Sequence, residues 1–252
     1  MTLLPYALTP WQWAAIMVSS VFFGISKTGL SNVSIVAVPL FALVFGAKES
    51  TGVVLPLICF ADLFAVVYYR RHAEWKYIWR LFPWALVGLA LALTADRFVS
   101  SNRGFKILIG ICVSIGLLVM IWNEKRSRGE TKPPSGLWFS AIFGVFGGFA
   151  TLIGNAAGPI MSVFLLSARL PRESFVGTAA WFFLIVNYLK LPLQIFVWHN
   201  ITVKTLLFDI SMIPFILLGI FLGIVFVKKV NDKQYRIAVY ALTIVSAVLL
   251  FL

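Results

Sequence analysis

The sequence predicts an all-α polytopic membrane protein built as two inverted repeats, each a broken, re-entrant hairpin followed by three transmembrane helices. Three observations carry that expectation. Hydrophobic residues make up 61% of the 252 and charged residues 12%, with a mean hydropathy of +0.96; such a chain must turn apolar surface toward lipid. Six uninterrupted apolar stretches each reach the length needed to span hydrocarbon. Two further stretches are apolar on both flanks but broken in the middle, and they open corresponding halves of the chain.

Taken in order, Met1–Pro10 carries no Lys or Arg and so lacks the charged start of a cleaved signal peptide. The first broken segment runs from Trp11 to Phe45, interrupted by Gly24-Ile-Ser-Lys-Thr-Gly-Leu-Ser-Asn32. As helix, its flanks measure about 20 Å each, short of the ~30 Å of hydrocarbon. Spans follow at Ser50–Tyr69, Tyr77–Ala95 and Gly104–Trp122. The run Asn123-Glu-Lys-Arg-Ser-Arg-Gly-Glu-Thr-Lys-Pro-Pro134 is a solvated linker by composition. The second broken segment runs from Leu137 to Leu166, interrupted by Gly147-Gly-Phe-Ala-Thr-Leu-Ile-Gly-Asn-Ala-Ala-Gly-Pro159. Spans at Phe175–Trp198, Thr205–Val227 and Tyr235–Leu252 complete the chain. Pro39 and Pro159, which follow the breaks, fit helix entries or sharp turns.

This organisation divides the chain into a first repeat (residues 1–122), a cytoplasmic linker (123–134) and a second repeat (135–252), together one membrane domain. The halves align in order: Gly24 and Asn32 with Gly147 and Asn155, Asp62 with Asn187, Pro83 and Gly88 with Pro214 and Gly219, and Phe105-Lys106 with Tyr235-Arg236. Charge selects between topologies. If each broken segment crossed once, the loop cations would divide nine against ten and give no orientation. If each re-enters, Lys48, Arg97, Arg103, Lys106 and Lys204 share one face and the other fourteen share the opposite one. Cytoplasmic loops carry the excess of Lys and Arg, so the re-entrant reading also places both termini outside. It brings the two breaks in from opposite faces, to meet near the midplane. The formal charge of +12 is then a topology signal, and no nucleic-acid partner is expected.

Matched breaks in corresponding halves point to a transporter's binding site, where helix N-termini and glycine-flanked backbone can receive an anion. Lys27, inside some 35 mostly apolar residues, is a fixed positive charge that needs a partner or water. Thr28, Ser31, Asn32, Thr151, Gly154 and Asn155 lie in the breaks, and Ser26 adds a further hydroxyl. Asn187 and Lys190, in Val186-Asn-Tyr-Leu-Lys-Leu-Pro192, complete the pocket from the second half, with Pro192 able to kink the helix between them and the loop. Asp62 sits deep in its span, either paired with Lys27 or Lys190 or taking up protons to couple transport; Asp209 is a second, shallower coupling residue. Cys59 and Cys112 read as small buried hydrophobes and His72 and His199 as lone loop residues, so neither metal nor cofactor is expected. The absence of a nucleophile–base pairing or phosphate loop argues against an enzyme.

Gly147 to Ile160, with Leu170-Pro-Arg-Glu-Ser-Phe-Val-Gly-Thr178 and Asn187-Tyr-Leu-Lys-Leu-Pro192, resembles the second half of the TauE/SafE sulfite-exporter family, and Gly24 to Pro39 on through Asp62 resembles its partner repeat. The first hairpin, with Lys27, Ser31 and Asn32, is less glycine-rich than the family pattern. The resemblance implies a multi-pass permease of the bacterial inner membrane for sulfite or short sulfonates such as sulfoacetate or isethionate. Together these readings predict alternating access around a midplane site, coupled to protons or another ion, in a monomer or homodimer. The alternative is an anion channel, or a permease for thiosulfate, sulfate or a short carboxylate.

Overall fold

The computed structural model describes residues 6, 8–30, 32–95 and 136–251. The predicted Gly104–Trp122 span, the linker 123–134, Cys112 and Ser31 lie outside the described residues. All regular structure among those described is helical: α1 (Pro10–Thr28), α2 (Ser34–Phe45), α3 (Ala47–Tyr69), α4 (Trp75–Ala95), α5 (Leu137–Gly154), α6 (Gly158–Ser167), α7 (Arg172–Pro192), α8 (Val203–Lys229) and α9 (Asp232–Phe251). A π-helical turn, Leu193–Val197, continues α7 beyond Pro192. Five of these segments are long and apolar enough to cross a membrane: Glu49–Tyr69, Trp75–Thr94, Leu137–Gly154, Arg172–Val197 and Val203–Lys229. The chain is therefore a polytopic helical membrane protein, and Trp11, Trp75, Trp79 and Trp138 are exposed near helix starts, as interfacial tryptophans are.

Both breaks are shorter than their sequence suggests and fall later. α1 runs straight through Gly24 to Thr28, and α5 through Gly147 to Gly154. At 19 residues α1 is about 28 Å long, so its flank is not the short stub expected. Gly24 and Gly148 serve close helix–helix contacts instead of breaking their helices. A Cβ at Gly24 would meet the carbonyl oxygen of Ile216, and one at Gly148 that of Ala85. What ends α5 is Asn155, left-handed at φ 51°, whose cap closes with Ala156 N–H donating to the Ala150 carbonyl at 3.2 Å. Pro159 enters α6 in its first turn as expected, whereas Pro39 lies inside α2, because the first break already closes at Ser34.

Two glycine seams make the frame. α1 packs on α8, where a Cβ at Gly219 would fall on the Val21 carbonyl; α4 packs on α5, where one at Gly88 would fall on the Val145 carbonyl. Gly88 and Gly219 are the residues that the sequence repeat aligned. Small residues let helices approach closely where lipid supplies no hydrophobic drive for association.

α3 and α7 run antiparallel between the seams. Near the start of α3, Thr51 Oγ1 accepts from Gln194 Nε2 at 3.0 Å. Past its end, Glu74 N–H donates to Thr178 Oγ1 at 2.9 Å. The two hairpin tips lie toward opposite ends of α3. α1 finishes by the far end, where the Tyr69 hydroxyl donates to the Thr28 carbonyl at 3.1 Å. α5 finishes by the near end, where Asn155 Nδ2 donates to the Thr51 carbonyl at 3.4 Å. Each short helix then folds back along its partner: Phe41 packs on Phe23 at 5.4 Å and Phe45 on Tyr6 at 5.1 Å, while Phe164 packs on Phe139 at 5.8 Å.

Gly88→Val and Gly219→Val are each expected to destabilise the protein by about 1–3 kcal/mol, the usual cost of overpacking. Gly154→Ala should be near neutral, since its Cβ would meet only Ala156 at 3.9 Å. Thermal unfolding in detergent compares the three; equal effects at all three positions would contradict the seam assignment.

Candidate functional site

Asp62 and Asn187, the pair aligned by the repeat, meet where α3 and α7 cross. Asn187 Nδ2 donates to Asp62 Oδ2 at 2.7 Å, and both side chains are buried. Lys27 reaches the same carboxylate from the end of α1, with Nζ 2.9 Å from Oδ1 and 3.2 Å from Oδ2. Its ammonium also lies 4.4 Å from the Phe183 ring centre, on the electron-rich face.

Lys190 is placed one turn beyond Asn187 and is fully buried at 0% exposure. Its Nζ donates to Asn187 Oδ1 at 3.2 Å, Thr151 Oγ1 at 3.1 Å and Asn155 Oδ1 at 2.6 Å. An ammonium has three N–H groups, and all three here go to neutral oxygens. The one carboxylate of the cluster is committed to Lys27 and Asn187. Counted with both lysines protonated, the cluster holds two cations and one anion, and Lys190 is the lysine without a carboxylate partner.

Between the tips is a cavity of about 30 Å³ whose lining includes Ser26, Lys27, Ser34, Thr151, Asn155 and Asn187. That is room for a water or two and too small for an oxyanion of four or more heavy atoms.

The structure thus brings Lys27, Asp62, Thr151, Asn155, Asn187 and Lys190 into one network, with Gly154 half-buried at the end of α5 beside Asn155. Thr28 points into the α1–α8 seam, its one hydroxyl proton lying within reach of the Gly24 and Ile220 carbonyls, each 3.0 Å from Oγ1. Asn32 does not face Asn155. Its oxygen accepts from Ser162 Oγ at 3.0 Å and its amide donates to Thr243 Oγ1, a separate buried triad. Asp209 lies on α8 next to Phe208, which packs against Tyr6 and Phe45; its carboxylate oxygens are buried without a hydrogen-bond partner among the described residues. Sequence reasoning missed Thr51 and Gln194, both buried. Each sits at the end of its apolar span, where a polar residue reads as interfacial.

The fold and the cluster define a multi-helix membrane protein with a buried polar network between two broken hairpins. The chain matches the family model Sulfite exporter TauE/SafE over residues 14–250, and it belongs to that family. Comparison with curated proteins and with solved structures gave no match.

Asp62→Leu strands the Lys27 charge, and losing one partner of a buried pair costs about 3–5 kcal/mol. The double variant Lys27→Met/Asp62→Leu is expected to lose clearly less than the sum of the single changes. Denaturation of all four proteins measures the coupling; strict additivity would mean that the pair is not energetically joined.

Proposed function

We propose that the protein is a secondary transporter of small organosulfur oxyanions, sulfite or short sulfonates, across the bacterial inner membrane. The observation that carries this reading is Lys190: a buried ammonium on three neutral oxygens, in a cluster with one more cation than carboxylate. A sulfite or sulfonate supplies the missing countercharge and accepts hydrogen bonds from lysine, hydroxyl and amide donors. Lys27, Ser26, Ser34, Thr151, Asn155, Asn187 and Lys190 are the proposed binding residues, and Asp62 the coupling residue. Family membership supports the substrate class.

The mechanism is alternating access by two inverted, re-entrant halves. In support, the tips lie toward opposite ends of α3, and each short helix folds back along its longer partner. The small cavity fits an occluded resting state. As the anion enters, Lys190 exchanges neutral oxygens for the substrate, and Asp62 rebalances charge by loosening its hold on Lys27 or by taking up a proton. Chemical conversion of the substrate plays no part.

In a thermal-shift screen of the purified protein against sulfite, sulfate, thiosulfate, sulfoacetate, isethionate and short carboxylates, the organosulfur anions should stabilise it. Lys190→Gln and Lys27→Ala should each weaken that binding about tenfold or more, some 1.4 kcal/mol. Unchanged binding in both variants would place the site elsewhere. Asp62→Asn should abolish pH-driven uptake into proteoliposomes while sparing equilibrium exchange; unaltered pH dependence would remove its coupling role. Conductance far above carrier turnover would make the protein a channel.

A further inference from the structure

Each break carries one asparagine, and each asparagine binds its own tip to the opposite half of the chain. Asn155, in the second half, donates to the Thr51 carbonyl of the first. Asn32, in the first half, is held by Ser162 of α6 and Thr243 of α9 in the second. The two aligned residues therefore make corresponding ties in different places.

The Asn155 tie extends outward. Thr51 Oγ1 accepts from Gln194 Nε2 at 3.0 Å, and Gln194 Oε1 accepts from Asn200 Nδ2 at 3.0 Å. The Gln194 backbone carbonyl also accepts from the Asn200 N–H at 3.0 Å. Gly52 is so close to Asn200 that a Cβ there would collide with it. A continuous polar path thus runs from Lys190 through Asn155, Thr51 and Gln194 to Asn200, in the loop before α8. Gln194 is fully buried, and burying an amide is costly unless it is bonded. It stands in the π turn, whose Trp198 N–H donates to the Leu193 carbonyl at 3.0 Å. Single π turns in helices concentrate at functional sites. These bonds join α3, the π turn, the second tip and the loop before α8. Moving α3 away from the end of α7 breaks the Thr51–Gln194 link, while the Gln194–Asn200 bonds stay within the turn and its loop.

We infer that these residues are two latches on the anion's path, which rests on reading the Lys27–Lys190 cluster as the anion site. Thr51, Gln194 and Asn200 close the cluster from the face that bears residues 200–204. Asn32, Ser162 and Thr243 hold the Lys27-bearing tip closed from the face that bears residues 70–74. When a latch parts, its hydroxyl and amide groups become the lining of the open passage. They are neutral donors, so they pass an oxyanion between hydrogen bonds without trapping it by charge and without a carboxylate to repel it. Only one latch needs to be open at a time, as alternating access requires.

The test uses full-length protein in oriented membrane vesicles. Cys59→Ala and Cys112→Ala remove the native thiols, and Ser26→Cys places one reporter in the cavity wall. A membrane-impermeant thiol reagent is applied to one face at a time. Thr51→Val and Gln194→Ala should raise labelling severalfold from the 200–204 face alone, and Thr243→Val and Asn32→Ala from the 70–74 face alone. The valine changes are near-isosteric, so they keep the test decisive if either amide variant fails to fold. Labelling that is unchanged, or raised equally from both faces, would overturn the latches. Sulfite thermal shifts on the protein with Ser26 intact separate the two readings: no stabilisation by sulfite, with the sidedness preserved, overturns the anion site and leaves the latches, and the reverse result does the opposite.

Discussion

The fold is organised around one constraint: charges placed at the centre of an apolar bundle must find partners there. Asp62 lies where α3 crosses α7 and is fully buried, so its carboxylate has to be met by other elements of the protein. α1 supplies Lys27 and α7 supplies Asn187, and through Asn187 the network passes to Lys190 and then to the tip of α5. A single hydrogen-bonded chain thereby touches both halves and both breaks. Removing any member leaves another buried polar group unsatisfied, which is the expensive outcome in a low-dielectric interior.

Around that chain the helices are held together in two different ways. The α1–α8 and α4–α5 seams are glycine contacts with backbone against backbone, where no small adjustment of a side chain creates space. Much of the centre is held differently, by neutral side-chain hydrogen bonds among Thr51, Gln194, Asn32, Ser162 and Thr243. Such bonds can be exchanged for a ligand at little net cost. In the proposed alternating-access mechanism the two seams are the rocking bodies and the cluster is the surface between them.

Much of the candidate site was legible because a charged or amide side chain in an apolar run is conspicuous. Lys27, Asp62, Asn187 and Lys190 stand out against their neighbours, and they do come together. The reading was weaker where the signal was ordinary. Thr51 and Gln194 fall at span ends, where polar residues are common. Asn32 and Asn155 look alike in sequence, yet only Asn155 faces Lys190. Glycine and proline misled in the first break: Gly24 serves a seam instead of ending its helix, and Pro39 lies within α2 instead of opening it.

By itself the sequence determined the membrane setting, the helical class, the paired breaks and the charges that must be neutralised, since these follow from hydropathy, span length and the cost of burying an ion. Only the tertiary structure decided which oxygens satisfy which ammonium, which glycines face a backbone, and to which end of α3 each tip points. Those are questions of three-dimensional register between helices far apart in the chain. A side chain's hydrogen bonds depend on the few ångströms by which one helix is set against another, and no local pattern of residues encodes that offset.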